Sequence, residues 1–192
     1  WLVAFSSSLW QGFTSFSVRF PSAFFGTLTV LITFLLGRSL YDSRAGFLSG
    51  LILATSFKFA FLATRANIDT TLTFFTTASL FCFIQWYHYW KSDGKEKRSI
   101  KDTLIYGFYV GMALATLTKG PVGFLLPLFV SLIYLTLQKD WEGIKRMKLL
   151  PGMLLFFVIV LSWYLPALSK GGWDYFDETI LRHSVGRFAK GM

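Results

Sequence analysis

Asp69 is a carboxylate in one of the most apolar parts of this sequence. It is the only acidic residue between Asp42 and Asp93, and the polar break around it separates two long hydrophobic runs. An ionisable side chain inside an apolar span costs about 3 kcal/mol even on lenient insertion scales, and such residues are usually functional. Asp69 is therefore the first candidate for a catalytic or substrate-binding group.

Four other ionisable residues could act with that carboxylate on an anionic substrate. Lys119 stands in a short polar turn between two apolar runs and offers a compact positive charge with three donors. Arg65 lies four residues before the carboxylate. His183 and Arg187 are four residues apart, so a helix would present both on one face. Arg can donate two parallel hydrogen bonds to phosphate oxygens, and neutral His can bind a metal ion or hydrogen-bond to phosphate.

Each candidate also has a structural interpretation that the sequence leaves open. Arg65 and Asp69 are spaced to pair on one helix, or Asp69 could cap the helix that follows it. Lys119 could extend its ammonium group to the lipid head groups, and His183 with Arg187 could lie on a solvated surface helix.

The composition predicts an all-α polytopic membrane helical bundle. Hydrophobic residues make up 54% of the 192 residues and charged residues only 15%, against about 25% charged in soluble domains. Crossing a hydrocarbon core takes roughly 20 helical residues. We expect one transmembrane domain over residues 1–192, with an interfacial helix ending near residue 12 and an extracytoplasmic tail at 169–192. Six predicted spans fit: 20–37, 45–64, 70–90, 103–118, 120–137 and 149–168.

The positions of the basic residues predict the orientation of these spans. The alternate connectors 37–44, 91–102 and 138–148 hold two, five and four of the 19 Lys and Arg residues. The positive-inside rule puts such connectors in the cytoplasm. The 65–69 turn, Lys119 and the tail then lie on the extracytoplasmic face. This pattern explains the net charge of +9 without a nucleic acid, and none is expected as a partner.

Two polar or reactive side chains lie away from these turns. Cys82, the only cysteine, sits inside an apolar run and is predicted to be a small buried hydrophobe. His88 lies among aromatic residues at the cytoplasmic end of a span and is predicted to be an interface residue. The chain has no glycine-rich phosphate loop and no Cys/His cluster with zinc spacing, so soluble nucleotide chemistry is not expected.

Several motifs, taken in order, resemble a known family. The chain is similar to bacterial glycosyltransferases of the protein O-mannosyltransferase-like and lipid A aminoarabinose transferase-like superfamily. The resemblance covers essentially the whole chain and depends on the order and spacing of the set. The segments that carry it are 18–30, 37–46, 54–56, 65–75, 118–121 and 183–188.

The resemblance implies a GT-C fold and a sugar donor linked to polyprenyl (undecaprenyl) phosphate. In that family the principal acidic residue lies in a first extracytoplasmic loop, which we expect before Trp1, and a further region would follow Met192. Asp69 matches the family's second acidic position. Lys119 and Arg187 match positions that contact the lipid phosphate. His183 matches a position that helps to hold a zinc ion in the aminoarabinose branch, so a divalent metal is the one cofactor that the resemblance suggests.

The expected function is therefore sugar transfer at the extracytoplasmic face of a bacterial inner membrane. The acceptor would be a hydroxyl of a lipid A-like lipid or of a protein, and the transfer would invert the anomeric carbon. Lys119, Arg187 and Arg65 would stabilise the charge on the departing lipid phosphate, and Asp69 would support the catalytic base. The alternative is a membrane transporter or lipid flippase with Asp69 and Lys119 along a polar path, although the inverted repeat typical of transporters is not visible.

Overall fold

The computed structural model describes residues 2–10, 12–92 and 98–176. This part of the chain consists of helices joined by turns and short loops, with no strand among the described residues, and confirms the all-α prediction. The helices are α1 (Leu2–Leu9), α2 (Ser15–Leu40), α3 (Ser43–Thr55), α4 (Phe57–Ala63), α5 (Ile68–Lys91), α6 (Arg98–Lys119), α7 (Val122–Leu137), α8 (Trp141–Arg146) and α9 (Leu149–Phe176).

Two of the predicted segments differ from the observed helices. The predicted span 45–64 is broken at Ser56, where α3 and α4 meet at an angle of 67°. Ser56 has extended backbone geometry (φ −66°, ψ 116°), which ends α3, and its amide donates to the Leu53 carbonyl. At the other end of the chain, α9 continues to Phe176, so the first residues of the predicted tail are helical.

Length and hydropathy separate the described helices into two groups. α2 and the Leu149–Ser169 part of α9 are long and apolar enough to cross a bilayer by themselves, and α3 with α4 make a third if the bent pair is one span. α5 and α6, with 24 and 22 residues, are long enough to cross a bilayer, but they are not among the helices that are also apolar enough. These two helices carry polar groups that the bundle buries, such as Ser79, whose hydroxyl donates to the Phe108 carbonyl at 2.8 Å.

The centre of the bundle is α6, which packs against α5, α7 and α9. Its side chains supply much of the core, and Phe108, Tyr109 and Met112 are fully buried. α5 lies between α6 and the pair α2 and α3, with α2 in contact with both α3 and α5. This arrangement places the start of α5 and the end of α6 side by side.

Small residues allow the helices to approach closely where large rings need space. Gly152 of α9 faces the ring of Tyr109, and a Cβ atom at this position would overlap the ring. The hydroxyl of Tyr109 continues past the glycine and donates to the Met147 carbonyl at 3.0 Å. Close contacts at small residues are typical of membrane helices, because the hydrophobic effect contributes little to helix association inside a bilayer.

The described parts of the three basic connectors lie together at one end of the bundle, which we call the basic end. Ser39 Oγ lies 3.4 Å from His88 Nδ1, joining the end of α2 to the end of α5. Lys91 Nζ lies 2.9 Å from Asp140 Oδ2, joining the second connector to the third. The sequence-based prediction that alternate connectors share one side agrees with these contacts.

The ion pair at the basic end fixes the charge state of both partners. The Lys91 ammonium and the Gly143 amide hydrogen-bond to the Asp140 carboxylate and hold its pKa below the ordinary value. The same contact raises the pKa of Lys91. Both shifts favour the ionised forms, so the pair is intact at neutral pH.

The contact between Gly152 and Tyr109 predicts a sharp dependence on residue size. Gly152→Ala should displace the Tyr109 ring and break the hydrogen bond from its hydroxyl to the Met147 carbonyl. We expect the free energy of unfolding to fall by about 1–3 kcal/mol, as overpacking does in other cores. The apparent unfolding midpoint of the detergent-solubilised protein measures the effect. Gly12→Ala is the matched control, because a Cβ at Gly12 meets nothing within 4 Å. Equal midpoints for the two variants would contradict the packing described.

Candidate functional site

The end of the bundle opposite the basic connectors collects the polar turns, and we call it the polar end. Here the turn before α5 is tied to the first part of α2 through Ser22 and Asn67. The Asn67 amide donates to Ser22 Oγ at 3.0 Å, and the Ser22 hydroxyl donates to the Asn67 carbonyl at 3.0 Å. Ser22 is buried, so this reciprocal pair satisfies polar groups that have little access to water.

Asn67 is the residue that caps α5. Its side-chain oxygen accepts the Asp69 amide at 2.8 Å, and its own backbone is extended (φ −125°, ψ 135°). The interpretation of Asp69 as the cap is therefore wrong, because the residue lies inside the first turn of the helix. The cap fixes the backbone of Asp69 and leaves its carboxylate free to reach another helix.

The carboxylate of Asp69 forms an ion pair with the ammonium group of Lys119. The two residues are 50 positions apart in the sequence, and they stand at the start of α5 and the end of α6. A helix carries partial positive charge at its N-terminus and partial negative charge at its C-terminus, so Asp69 and Lys119 each lie at the helix end of opposite charge. The pair is therefore stabilised by its position on the two helices as well as by mutual attraction.

Both members of the pair remain accessible. The side chain of Asp69 is 40% exposed and that of Lys119 is 45% exposed. An ammonium group has three donors, and the pair with Asp69 uses one of them. Lys119 can therefore hold a second anionic oxygen while the carboxylate keeps it in position.

The turn after Lys119 sets the direction of its side chain. Gly120 has a positive φ of 76°, a left-handed conformation that ends α6, and its amide donates to the Thr116 carbonyl at 2.7 Å. Gly123 then lies against the backbone at Ala115 and Thr116 so closely that a Cβ would overlap it. This tight reversal keeps Lys119 at the surface of the polar end.

A cavity of about 240 Å³ lies beside this turn. Its walls are mostly apolar and come from α1, the start of α2, the start of α5 and the end of α6. Its polar groups are Ser22, Asn67, Thr71 and Thr118, and the last three lie within two residues of a member of the ion pair in sequence. An apolar cavity with a few polar groups is typical of a small-molecule or lipid site.

A second, more open cleft of about 800 Å³ adjoins the first at Val18 and Ala66. Arg19 and Arg65 line it. The guanidinium carbon of Arg65 lies 4.1 Å from the centre of the Phe61 ring, a cation–π contact. Arg65 does not pair with Asp69, whose carboxylate pairs with Lys119 instead. The cleft was not predicted from the sequence, although both arginines stand in the resembling motifs.

The structure brings together Asp69, Lys119 and, in the adjoining cleft, Arg65. His183 and Arg187 lie outside the described residues, so their position relative to the pair stays a prediction. Within residues 2–10, 12–92 and 98–176, no three His, Cys, Asp or Glu side chains cluster in a way that would hold a metal ion. Sequence reasoning missed Ser22 and Asn67 as the link between α2 and α5, since neither residue is charged.

A bundle of long apolar helices with polar turns collected at one end is the architecture of a multi-pass membrane protein. A profile of the family described as dolichyl-phosphate-mannose-protein mannosyltransferase matches residues 1–165. The chain belongs to this family, and the resemblance noted from its motifs is confirmed.

Two relatives illustrate the similarity in sequence. An uncharacterised protein of Aquifex aeolicus is 34% identical over 166 residues, which is 86% of this chain and 31% of that protein. The undecaprenyl phosphate-alpha-4-amino-4-deoxy-L-arabinose arabinosyl transferase of Pseudomonas aeruginosa (strain UCBPP-PA14) is 28% identical over 190 residues, which is 98% of this chain and 33% of that protein. The chain thus spans about a third of the length of the relatives that it matches.

The solved structures show the same fold. ArnT from Cupriavidus metallidurans bound to undecaprenyl phosphate superposes with a TM-score of 0.84 at 22% identity, covering 96% of this chain and 33% of that one. Its apo state gives a TM-score of 0.78 at 24% identity over 88% of this chain and 30% of that one. The predicted GT-C membrane bundle is confirmed.

The exposure of the ion pair predicts that it contributes little to stability. Asp69→Asn, Lys119→Gln and the double variant should each change the free energy of unfolding by about 1 kcal/mol or less, as exposed pairs usually do. A double-mutant cycle on the apparent unfolding midpoints measures the coupling. A coupling energy of several kcal/mol would mean that the pair holds α5 and α6 together. That result would contradict the view that the ion pair is kept available for a ligand.

Proposed function

We propose that the full protein transfers a sugar from a polyprenyl-phosphate-linked donor to a hydroxyl of a lipid or protein acceptor. The acceptor oxygen would attack the anomeric carbon, the bond from that carbon to the phosphate oxygen would break, and the polyprenyl phosphate would leave with the electron pair. Such a displacement inverts the anomeric carbon. The family to which the chain belongs supports this class of reaction.

The observation that carries the proposal is the accessible ion pair beside an apolar cavity. A donor of this class has a charged phosphate next to a long hydrocarbon tail, so its site needs a cation beside apolar walls. Lys119 and the 240 Å³ cavity provide this combination at the polar end. ArnT, which has the same fold, was solved with undecaprenyl phosphate bound, and this supports the same donor class here.

Lys119 would act on the phosphate as negative charge develops there. The leaving group gains charge as the bond to the sugar breaks, and a fixed cation lowers the energy of that state more than the energy of the bound donor. Asp69 would hold the ammonium in place before the donor binds. The spare donors of Lys119 would then contact the phosphate without loss of the pair.

Asp69 would also support the acceptor side of the reaction. A carboxylate near the anomeric carbon can orient the acceptor hydroxyl or help the base that takes its proton. We assign Asp69 this supporting role, with the principal base in a part of the protein other than residues 1–192. Arg65, Arg187 and His183 complete the proposed site: the two arginines would contact the phosphate, and His183 would be the metal-binding candidate.

The location and organisation are part of the same proposal. The basic end would face the cytoplasm of a bacterial plasma membrane and the polar end would face the extracytoplasmic side. The chain would form one membrane domain, with helices α2, α3–α4, α5, α6, α7 and α9 as its spans. A lipid acceptor such as a lipid A-like glycolipid is favoured by the similarity to the arabinosyl transferase of Pseudomonas aeruginosa.

A transfer assay with the purified full-length protein and a labelled undecaprenyl-phosphate sugar tests this function. Lys119→Ala should lower the rate by about 100-fold, because removing a group that stabilises developing charge costs roughly 100-fold to 1,000-fold. Asp69→Asn should lower it by about tenfold or more. Lys119→Arg, which keeps the charge, should retain more activity than Lys119→Ala.

Two variants serve as matched controls. Lys58→Ala removes an exposed cation that lines neither cavity, and Asp102→Asn breaks an ion pair with Lys148 at the basic end. Both should transfer at close to the wild-type rate. Wild-type rates in Asp69→Asn and Lys119→Ala together would refute the assignment of the site, and no transfer by the wild-type protein with any polyprenyl-phosphate sugar would refute the function.

A further inference from the structure

A third cavity lies at the other end of the molecule, far from the proposed site. It is a groove of about 360 Å³ between α2 and α5 at the basic end. Its lining residues are Leu35, Arg38, Ser39, Phe81, Gln85 and His88. We propose that this groove binds the phosphate head group of an anionic phospholipid, with the start of an acyl chain along its apolar part.

The groove changes from apolar to basic along its length. On α2, Leu35 lies one helical turn before Ser39, and α2 ends at Leu40 at the basic end. On α5, Phe81, Gln85 and His88 follow one another at helical spacing towards the same end. Phe81 at the apolar end of the groove and His88 at the basic end are seven residues apart on α5, which corresponds to about 10 Å at 1.5 Å per residue. This gradient matches a molecule with a charged head and an apolar chain, and it favours a lipid over free phosphate.

Arg38 is available to an external anion. Its side chain is exposed, and it forms no ion pair with any carboxylate of the described residues. The nearest acidic residue in sequence, Asp42, is engaged at the start of α3, where its carboxylate accepts the Ala45 amide at 2.7 Å. The guanidinium therefore presents its donors to the groove, and it suits phosphate oxygens in geometry and charge.

Among the described residues, the three other carboxylates at this end already have basic partners. Asp140 pairs with Lys91, Asp102 with Lys148 at 2.7 Å, and Glu142 with Arg146 at 3.5 Å. The basic end thus keeps an excess of positive charge in the part of the chain that the structure describes. Basic grooves between membrane helices on the cytoplasmic side are a known type of site for anionic head groups.

The backbone around Arg38 is held firmly. Gly37 and Gly46 bring α2 and α3 into contact: a Cβ at Gly37 would lie 3.0 Å from the Gly46 Cα atom. A Cβ at Gly46 would lie 2.8 Å from the Arg38 amide nitrogen. Ser39 and His88 close the other wall, with Oγ and Nδ1 3.4 Å apart. The lining residues come from two helices, α2 and α5, with α3 packed against α2, and the walls do not depend on a loop.

Native mass spectrometry of the detergent-solubilised full-length protein tests the proposal. Three probes separate the sources of the phosphate: phosphatidylglycerol, phosphatidylcholine with the same acyl chains, and free glycerol phosphate. We expect phosphatidylglycerol to bind more tightly than phosphatidylcholine and glycerol phosphate to compete poorly. Arg38→Gln should weaken phosphatidylglycerol binding by roughly fivefold, the effect of one basic residue on an anionic lipid.

Arg44→Gln is the matched control, since it removes an exposed arginine at the same end that does not line the groove. It should leave phosphatidylglycerol binding unchanged, with the unfolding midpoints of both variants confirming that they fold. Equal loss in both variants would show attraction to surface charge in general and would overturn the site. Equal binding of the two lipids, or full competition by glycerol phosphate, would overturn the lipid assignment. None of these outcomes depends on the transfer reaction, because neither arginine belongs to the proposed catalytic site.

Discussion

The high cost of a charge in hydrocarbon determines where this molecule can hold reactive groups. Backbone polar groups in a bilayer must be satisfied internally, so the spans are helices, and ionisable side chains collect where helices end. Asp69 begins α5 and Lys119 ends α6, and each stands at the helix terminus that suits its charge. The ion pair is thus a consequence of two helices that run in opposite directions and end at the same level.

The packing of the bundle keeps those two ends together. α6 is central because small residues at its contacts allow neighbours to approach, as Gly111 of α6 does beside Ser79 and Gly123 of α7 does beside Ala115. The same close packing positions the Tyr109 ring over Gly152 and lets it reach Met147. At the polar end, Ser22 and Asn67 tie α2 to the start of α5. A cavity with apolar walls and an accessible cation follows from this arrangement, and this is what a lipid-linked phosphate requires.

Hydropathy and charge predicted the helices and the shared side of the basic connectors, because both depend on composition over many residues. The break at Ser56 was not predictable, since a Ser–Thr pair in an apolar run does not by itself interrupt a helix. The partner of Asp69 was also missed. Local spacing favoured Arg65, whereas the observed partner is 50 residues away and depends on how α5 and α6 pack. The sequence left open whether Asp69 caps α5, because capping rules rank Asp and Asn alike, and the structure has Asn67 in that position.

The central proposal is that the Asp69–Lys119 pair faces the extracytoplasmic side while the basic end faces the cytoplasm, and labelling of single cysteines tests it most directly. In a full-length protein freed of other cysteines, Ala66→Cys would report on the polar end and Ser43→Cys on the basic end, and both positions are exposed. A membrane-impermeant maleimide should label Ala66→Cys in right-side-out vesicles and Ser43→Cys only after permeabilisation. The reverse pattern, or labelling of both positions from outside, would contradict the account.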